Sequence, residues 1–199
     1  DVPESRRVLP VDPAHVRAVR PLLSRQLQAV VDLQLLTAAR PGEILQMRPC
    51  DLSRDEIPGV WVYRPASHKN AHRGRGRSIL LGPDAQNTVR GFLPDKGPEE
   101  YLFSPRDAEA ERRGGCPARA GERYTSEAYS QAVARACKRA GVPHWHPHQI
   151  RHTAATEIRR QYGLEAASLM CEHSSAEITD AVYAERDIEK RAEIARKIG

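Results

Sequence analysis

Cysteine is scarce and scattered. The four residues, Cys50, Cys116, Cys137 and Cys171, lie far apart with no C-x-x-C pair, which argues against a disulfide framework and against a cysteine zinc site. A reducing, cytosolic setting fits that usage. Long apolar runs are missing too: nothing approaches the ~20 residues that cross a bilayer as a helix, and no secretory leader pattern opens the sequence. The histidines of His144-Trp145-His146-Pro147-His148 have no convincing partners at zinc spacing, so no metal is expected.

What is present describes a soluble globular protein. Hydrophobic residues make up 40% and charged residues 29% of 199 residues, and the mean hydropathy is −0.61. That length is enough for one large domain or two small ones with a real core. The net charge of +5 and a pI near 9.2 favour a polyanionic partner.

Asp1 to Ala14 is polar and contains proline, and reads as a lead-in or linker. From Val16 to about Leu36, the residues Leu23, Leu27, Val31 and Leu35 step by four, the pattern of an amphipathic helix with one buried face. Pro41-Gly42 then breaks that helix and Glu43 falls in the first turn of the next. Arg40 sits at the junction, held by two helix ends and within reach of Glu43; a solvated arginine beside a turn is the ordinary alternative. Val60-Trp61-Val62-Tyr63 and Ser78-Ile79-Leu80-Leu81 read as two strands of a hairpin. Its tip is the basic run ending in Arg73, Arg75 and Arg77, with Lys69 on the rising arm and glycines that let the backbone approach phosphates.

Pro83 to Leu93 is a short helix, and Tyr101-Leu102-Phe103 a brief apolar segment. Residues 104–121 have no apolar period and are expected to be an exposed loop. Thr125 is an N-cap, Glu127 lies in the first turn, and Lys138-Arg139 before Gly141 mark the end of that helix. After Pro147 another helix begins, placing His148, Arg151 and His152 at i, i+3 and i+4 on one face, close to an N-terminus whose N–H groups favour an anion. Leu164 to Met170 then reads as another helix. Ser174 and Glu177 have capping-box spacing for the helix that would carry Tyr183. The last segment, Asp187 to Gly199, has Ile188, Ala192, Ala195 and Ile198 on one face, which must be buried on its own domain or on a neighbour.

Together these pieces resemble the catalytic domain of the tyrosine recombinases, the phage integrase family. The resemblance runs through Ala39-Arg40-Pro41-Gly42-Glu43, Lys69 in the hairpin, His148-Gln149-Ile150-Arg151-His152, His173-Ser174-Ser175 and Tyr183, in the family's order. It implies an α+β, mostly α-helical fold with a small antiparallel sheet on one edge. It also implies a single catalytic domain over residues 1–199, with 1–14 as lead-in and 184–199 as tail helix, the family's N-terminal core-binding domain being absent from this chain. Arg40, Lys69, His148, Arg151, His173 and Tyr183 would be catalytic, Glu43 and His152 would support them from behind, and Arg73, Arg75 and Arg77 would contact DNA. Two positions depart from the family pattern: Cys171-Glu172 stands where Leu-Gly is usual, and Tyr183 follows His173 by ten residues rather than nine, a rotation of about 100° on a helix.

The implied reaction cleaves and rejoins duplex DNA through a 3′-phosphotyrosyl bond with no metal, ATP or other cofactor. It would serve integration, excision or resolution. Double-stranded DNA is the expected partner, with a homotetramer on synapsed sites (a monomer when free being the alternative), no membrane, and a nucleoid-associated cytoplasmic location. Competing readings are a type IB topoisomerase that only relaxes DNA, a decayed non-catalytic DNA-binding protein of the same fold, and a metal-dependent nuclease.

Overall fold

The computed structural model describes residues 8–67, 76–94, 96–114, 120–171 and 191–199. The elements in chain order are α1 (Pro13–Val19), α2 (Arg25–Thr37), α3 (Pro41–Leu45), β1 (Leu52–Ile57), β2 (Val60–Tyr63), β3 (Ile79–Leu81), α4 (Pro83–Arg90), α5 (Pro105–Arg113), α6 (Ser126–Ala140) and α7 (Pro147–Cys171). Residues 191–198 form a tail helix. Among the described residues helices predominate and a three-stranded sheet is antiparallel, in the order β1-β2-β3, which is the α+β architecture expected from sequence.

The single helix expected from Val16 to Leu36 is two. Pro21 lies in a 3-10 turn over Arg20–Leu22, Leu23 is extended, and the Ser24 side chain caps α2 by accepting from the Leu27 N–H at 3.4 Å. A proline has no N–H to continue an α-helical ladder, so the chain turns before restarting. Arg20 reaches back across this corner to Asp32 with two contacts of 2.6 Å.

Helix α2 is the axis of the core. Leu27, Val30, Val31 and Leu33 are all buried, as are Gln26, Gln34 and Thr37, so more than the one expected face is covered. Burial on this scale contributes about 1.5–3 kcal/mol for each large apolar side chain. Around it lie Val16 and Val19 of α1, Val89 of α4, Phe103, and Tyr129 and Val133 of α6. Gln34 is satisfied at the centre: its amide donates to the Ala39 and Pro147 carbonyls, and its oxygen accepts from the Tyr129 hydroxyl. One buried side chain thus registers the end of α2, the start of α7 and α6, because an unpaired polar group there would be costly.

The sheet has two covered faces. Trp61, Tyr63, Ile79 and Leu81 point into the main core, whereas Val60, Val62 and Leu80 meet Ala192 and Ala195 of the tail helix. The tail therefore packs on its own domain, with Ile194 added to the face read from sequence and joining Ala38, Ala154, Ile158 and Met170 in a further cluster. Its backbone presses on Gly82, where a Cβ would lie 1.8 Å from the Ala195 carbonyl oxygen. No other residue type fits that approach.

Two further differences from the sequence reading are β1 and α5. Strand β1 carries charged, exposed residues and forms by folding back onto β2 through the turn at Gly59, whose φ is +77°. Helix α5 lies inside the segment expected to be loop. It has no buried residue, so it shows no apolar period. It is started instead by the Ser104 cap and Pro105, and Arg112 and Arg113 both reach Glu109 on its surface. The lead-in is also tied down: Val11 exchanges two hydrogen bonds with the Thr153 hydroxyl and is buried, so the part of 1–14 from Val11 belongs to the domain rather than to a linker.

Candidate phosphate-binding site

The site is built where α2 ends. Ala38 takes a left-handed conformation, φ 53°, which turns its carbonyl away from the helix. Two residues on, Arg40 is extended and caps α3, with Pro41 in the first turn and Glu43 at the third position. The Glu43 carboxylate accepts from the Arg40 backbone N–H at 2.8 Å and from the Arg40 guanidinium at 2.9 Å. The expectation that Glu43 would lie close enough to orient Arg40 describes this geometry.

Helix α7 brings the second guanidinium. Its start is fixed by Gln149, whose side chain accepts from the His146 N–H at 2.9 Å, and by the bond from Gln34 to Pro147. One turn later Arg151 is buried, 4% exposed. It donates to the Ala38 carbonyl at 2.6 Å and to the Cys171 carbonyl, spanning the end of α2 and the end of α7. Burial pushes the Arg151 guanidinium below its ordinary pKa, and the neighbouring charges of Arg40 and Arg77 push the same way, against Cys171 and Glu43.

Arg77 departs from expectation. The resemblance implies a DNA-contacting residue at the hairpin tip; Arg77 is instead 5% exposed and lies against Glu43 at 3.3 Å through both Nε and Nη2. The physical reason is register. Ile79 and Leu81 face the core, and a period of two puts residue 77 on that same face. Alternation in the strand was the signal that would have found it. Burial acts to raise the Glu43 carboxyl, but the Arg77 charge, the Arg40 N–H and the Arg40 guanidinium outweigh it, so Glu43 stays ionised below the usual carboxylate range.

Arg40 and Arg77 thus share the Glu43 carboxylate beside the carbonyl-bound Arg151, and Arg40 keeps a quarter of its surface open to solvent. An excess of positive charge held by fixed carbonyls and one carboxylate favours an anion, and forked donors suit the oxygens of a phosphate. His148 is exposed on the first turn of α7, its ring 5.3 Å from that of His152. His152 is half-buried and is held below its ordinary pKa by burial and by the Arg151 charge. Both influences favour its neutral form. Among the described residues no three histidine, cysteine or acidic side chains come together as a metal site.

The structure thereby brings Arg40, Glu43, Arg77 and Arg151 together, with His148 and His152 on the adjoining helix face. Lys69, Arg73, Arg75, His173 and Tyr183 lie outside the described residues. Sequence reading missed Ala38, Gln34 and Gln46, whose roles depend on backbone carbonyls that no residue pattern displays.

The phage integrase family model matches residues 16–190. No curated protein matches the sequence. Among solved structures, an integrase from mycobacterium phage Brujita is similar over all of this chain and 60% of its own length, at 19% identity and a TM-score of 0.62. The XerH site-specific recombinase bound to its difH substrate is similar over 94% of this chain and 56% of its own, at 16% identity and a TM-score of 0.55. The Tn1549 transposon integrase in complex with circular intermediate DNA covers 94% and 68%, at 14% identity and a TM-score of 0.62. The chain spans about 60% of the length of the first of these structures.

Proposed function

The chain belongs to the phage integrase family, and on that premise we propose that it is the catalytic domain of a site-specific recombinase that cuts and rejoins duplex DNA. The observation that carries this reading is the pair Arg40 and Arg151, locked by Glu43 and two main-chain carbonyls into one electropositive site. The similar structures solved with DNA, XerH on difH and the Tn1549 integrase on circular intermediate DNA, share the fold and support duplex DNA as the ligand here.

The chemistry follows from what phosphodiester cleavage requires. The anion repels nucleophiles, and attack places further charge on its non-bridging oxygens. Arg40 and Arg151 grip those oxygens in the pentacoordinate transition state, and because they are already oriented, little reorganisation is needed as charge develops. The Tyr183 hydroxyl attacks phosphorus and gives its proton to His148, since a phenol near pKa 10 is a weak nucleophile unless a base assists. The P–O5′ bond breaks, and Lys69 donates a proton to the leaving 5′ oxygen. His173 donates a hydrogen bond to the phosphate. The product is a 3′-phosphotyrosyl ester, which keeps the bond energy for rejoining by the reverse steps without ATP or a metal. In a homotetramer on two synapsed sites, rejoining to the partner duplex gives recombination.

The test is a nicked suicide duplex carrying the cognate site, incubated in EDTA and run on a denaturing gel. The reading predicts a slow protein–DNA adduct that retains the 5′-end label of the cleaved strand, loses a label placed at its 3′ end, and vanishes in Tyr183→Phe. DNA binding without an adduct in the wild type would support a non-catalytic DNA-binding protein instead.

A further inference from the structure

Helix α3 does more than present Arg40. The chain between β2 and β3 is described up to Ser67 and again from Gly76, and both ends are tied to this short helix or to its C-cap residue, Gln46. On the β2 side, Ser67 donates through its N–H and its hydroxyl to Gln46 Oε1 at 3.1 and 3.0 Å. Gln46 Nε2 in turn donates to the Ser67 carbonyl at 2.6 Å and to the Gly42 carbonyl at 3.1 Å. The buried amide thus uses its oxygen twice and its nitrogen twice. The partners fix its orientation, because backbone N–H groups only donate and carbonyls only accept. On the β3 side, Arg77 lies against the Glu43 carboxylate. The Tyr63 hydroxyl, at the end of β2, adds a bond to the Glu43 carbonyl.

We propose that α3 and the residue that caps its end form a double clamp, with Gln46 at the C-cap holding Ser67 and Glu43 holding Arg77, so that Gln46 and Arg77 are positioning residues for the Lys69-bearing connection relative to Arg40. This rests on the proposed function, in which Lys69 protonates the leaving oxygen. The clamp couples the two halves of the reaction: the helix that aims the phosphate-gripping guanidinium also sets both anchor points of the chain that supplies the proton. Hydrogen bonds to an aligned amide enforce direction as well as distance, and catalytic groups lose rate steeply when displaced by about 1 Å.

The experiment compares Gln46→Leu, similar in size but without the amide, with the wild type on two suicide duplexes. One has the ordinary bridging 5′ oxygen at the scissile phosphate and the other a bridging sulfur. A thiolate leaves without a proton, so a fault confined to the proton donor disappears on the sulfur duplex. Gln46→Leu is expected to form adduct at least about tenfold more slowly on the oxygen duplex, and within about threefold of the wild-type rate on the sulfur duplex. DNA affinity is expected to stay unchanged. A wild-type rate on both duplexes, or an equal loss on both, overturns the proposal.

Limited trypsin digestion reads the clamp independently of activity. In folded Gln46→Leu and Arg77→Gln, cleavage after Lys69, Arg73 and Arg75 is expected to quicken by about fivefold or more as the anchors open. Unchanged cleavage in both contradicts the clamp. If Arg77→Gln fails to fold, Gln46→Leu alone decides. Absence of any wild-type adduct would count against the proposed function, and the digestion would still decide the clamp.

Discussion

Replacing Glu43 with glutamine tests how the site is held together. The carboxylate is 3% exposed and accepts from the Arg40 backbone and side chain and from Arg77. Glutamine keeps the shape but removes the carboxylate that both guanidiniums contact, and it turns an NH2 toward one of the donors. Breaking a buried ion pair by removing one partner costs about 3–5 kcal/mol. Arg40 is partly open to water and will be screened there, so the lower end, ~3 kcal/mol, is the working figure. In a domain of this size each kcal/mol shifts Tm by about 2–4 °C, which gives a fall of about 6–12 °C. Urea denaturation and thermal melting followed by circular dichroism both measure it. Sulfate should restore part of the loss, and more in Glu43→Gln than in the wild type, because the variant site has one more uncompensated positive charge for the anion to bind. A loss below about 1 kcal/mol would refute the reasoning by showing that solvent or rearrangement, rather than Glu43, balances the guanidiniums.

Gly82→Ala forces a Cβ to within 1.8 Å of the Ala195 carbonyl oxygen, so the tail helix should lift from the sheet, which protease sensitivity of residues 191–199 and a reduced melting temperature would reveal. Ala38→Gly relieves the left-handed strain at φ 53° and should change stability by no more than about 1 kcal/mol, in the stabilising direction; a clear loss in urea denaturation would mean that the methyl group's packing outweighs the strain. His152 is held below its ordinary value of 6.5 by burial and by Arg151, so the unfolded chain binds the proton more readily. Stability should therefore decline as pH falls below about 6.5 and level off beneath the folded value, and His152→Gln should flatten that part of the profile. If the two profiles run parallel, His152 is not the group responsible.

Much of this architecture could be read from residue patterns because local chemistry and tertiary packing agree. Thr125 and Gly141 bracket α6 as cap and left-handed stop, Pro41 opens α3, and the second and third strands pair as expected, with Trp61 opposite Leu81 and Tyr63 opposite Ile79. The break in α7 falls at Gly163, with φ 88°, between the two helical runs read separately from sequence. What escaped was structure made by partners rather than by period. Strand β1 exists because β2 lies beside it, and α5 because its ends are capped and its charges paired. The site divides in the same way. The proximity of Arg40 and Glu43 was legible because motif spacing names them, whereas the burial of Arg77 was not, because its basic neighbours at the hairpin tip masked the strand alternation. The anchors at Ala38, Gln34 and Gln46 work through main-chain carbonyls and had no signature to read.

The central claim, that Tyr183 carries the DNA at a site gripped by Arg40 and Arg151, is tested most directly by locating the bond itself. The adduct from the suicide duplex is trimmed with nuclease, digested with trypsin and sequenced by tandem mass spectrometry. Cleavage after Arg160 and Arg186 gives a peptide containing both Tyr162 and Tyr183, so fragmentation distinguishes them. The account predicts a nucleotide 3′-phosphate on Tyr183, and none in Arg151→Ala despite retained DNA binding. A nucleotide on Tyr162, on a serine or histidine, or on no residue at all would contradict it.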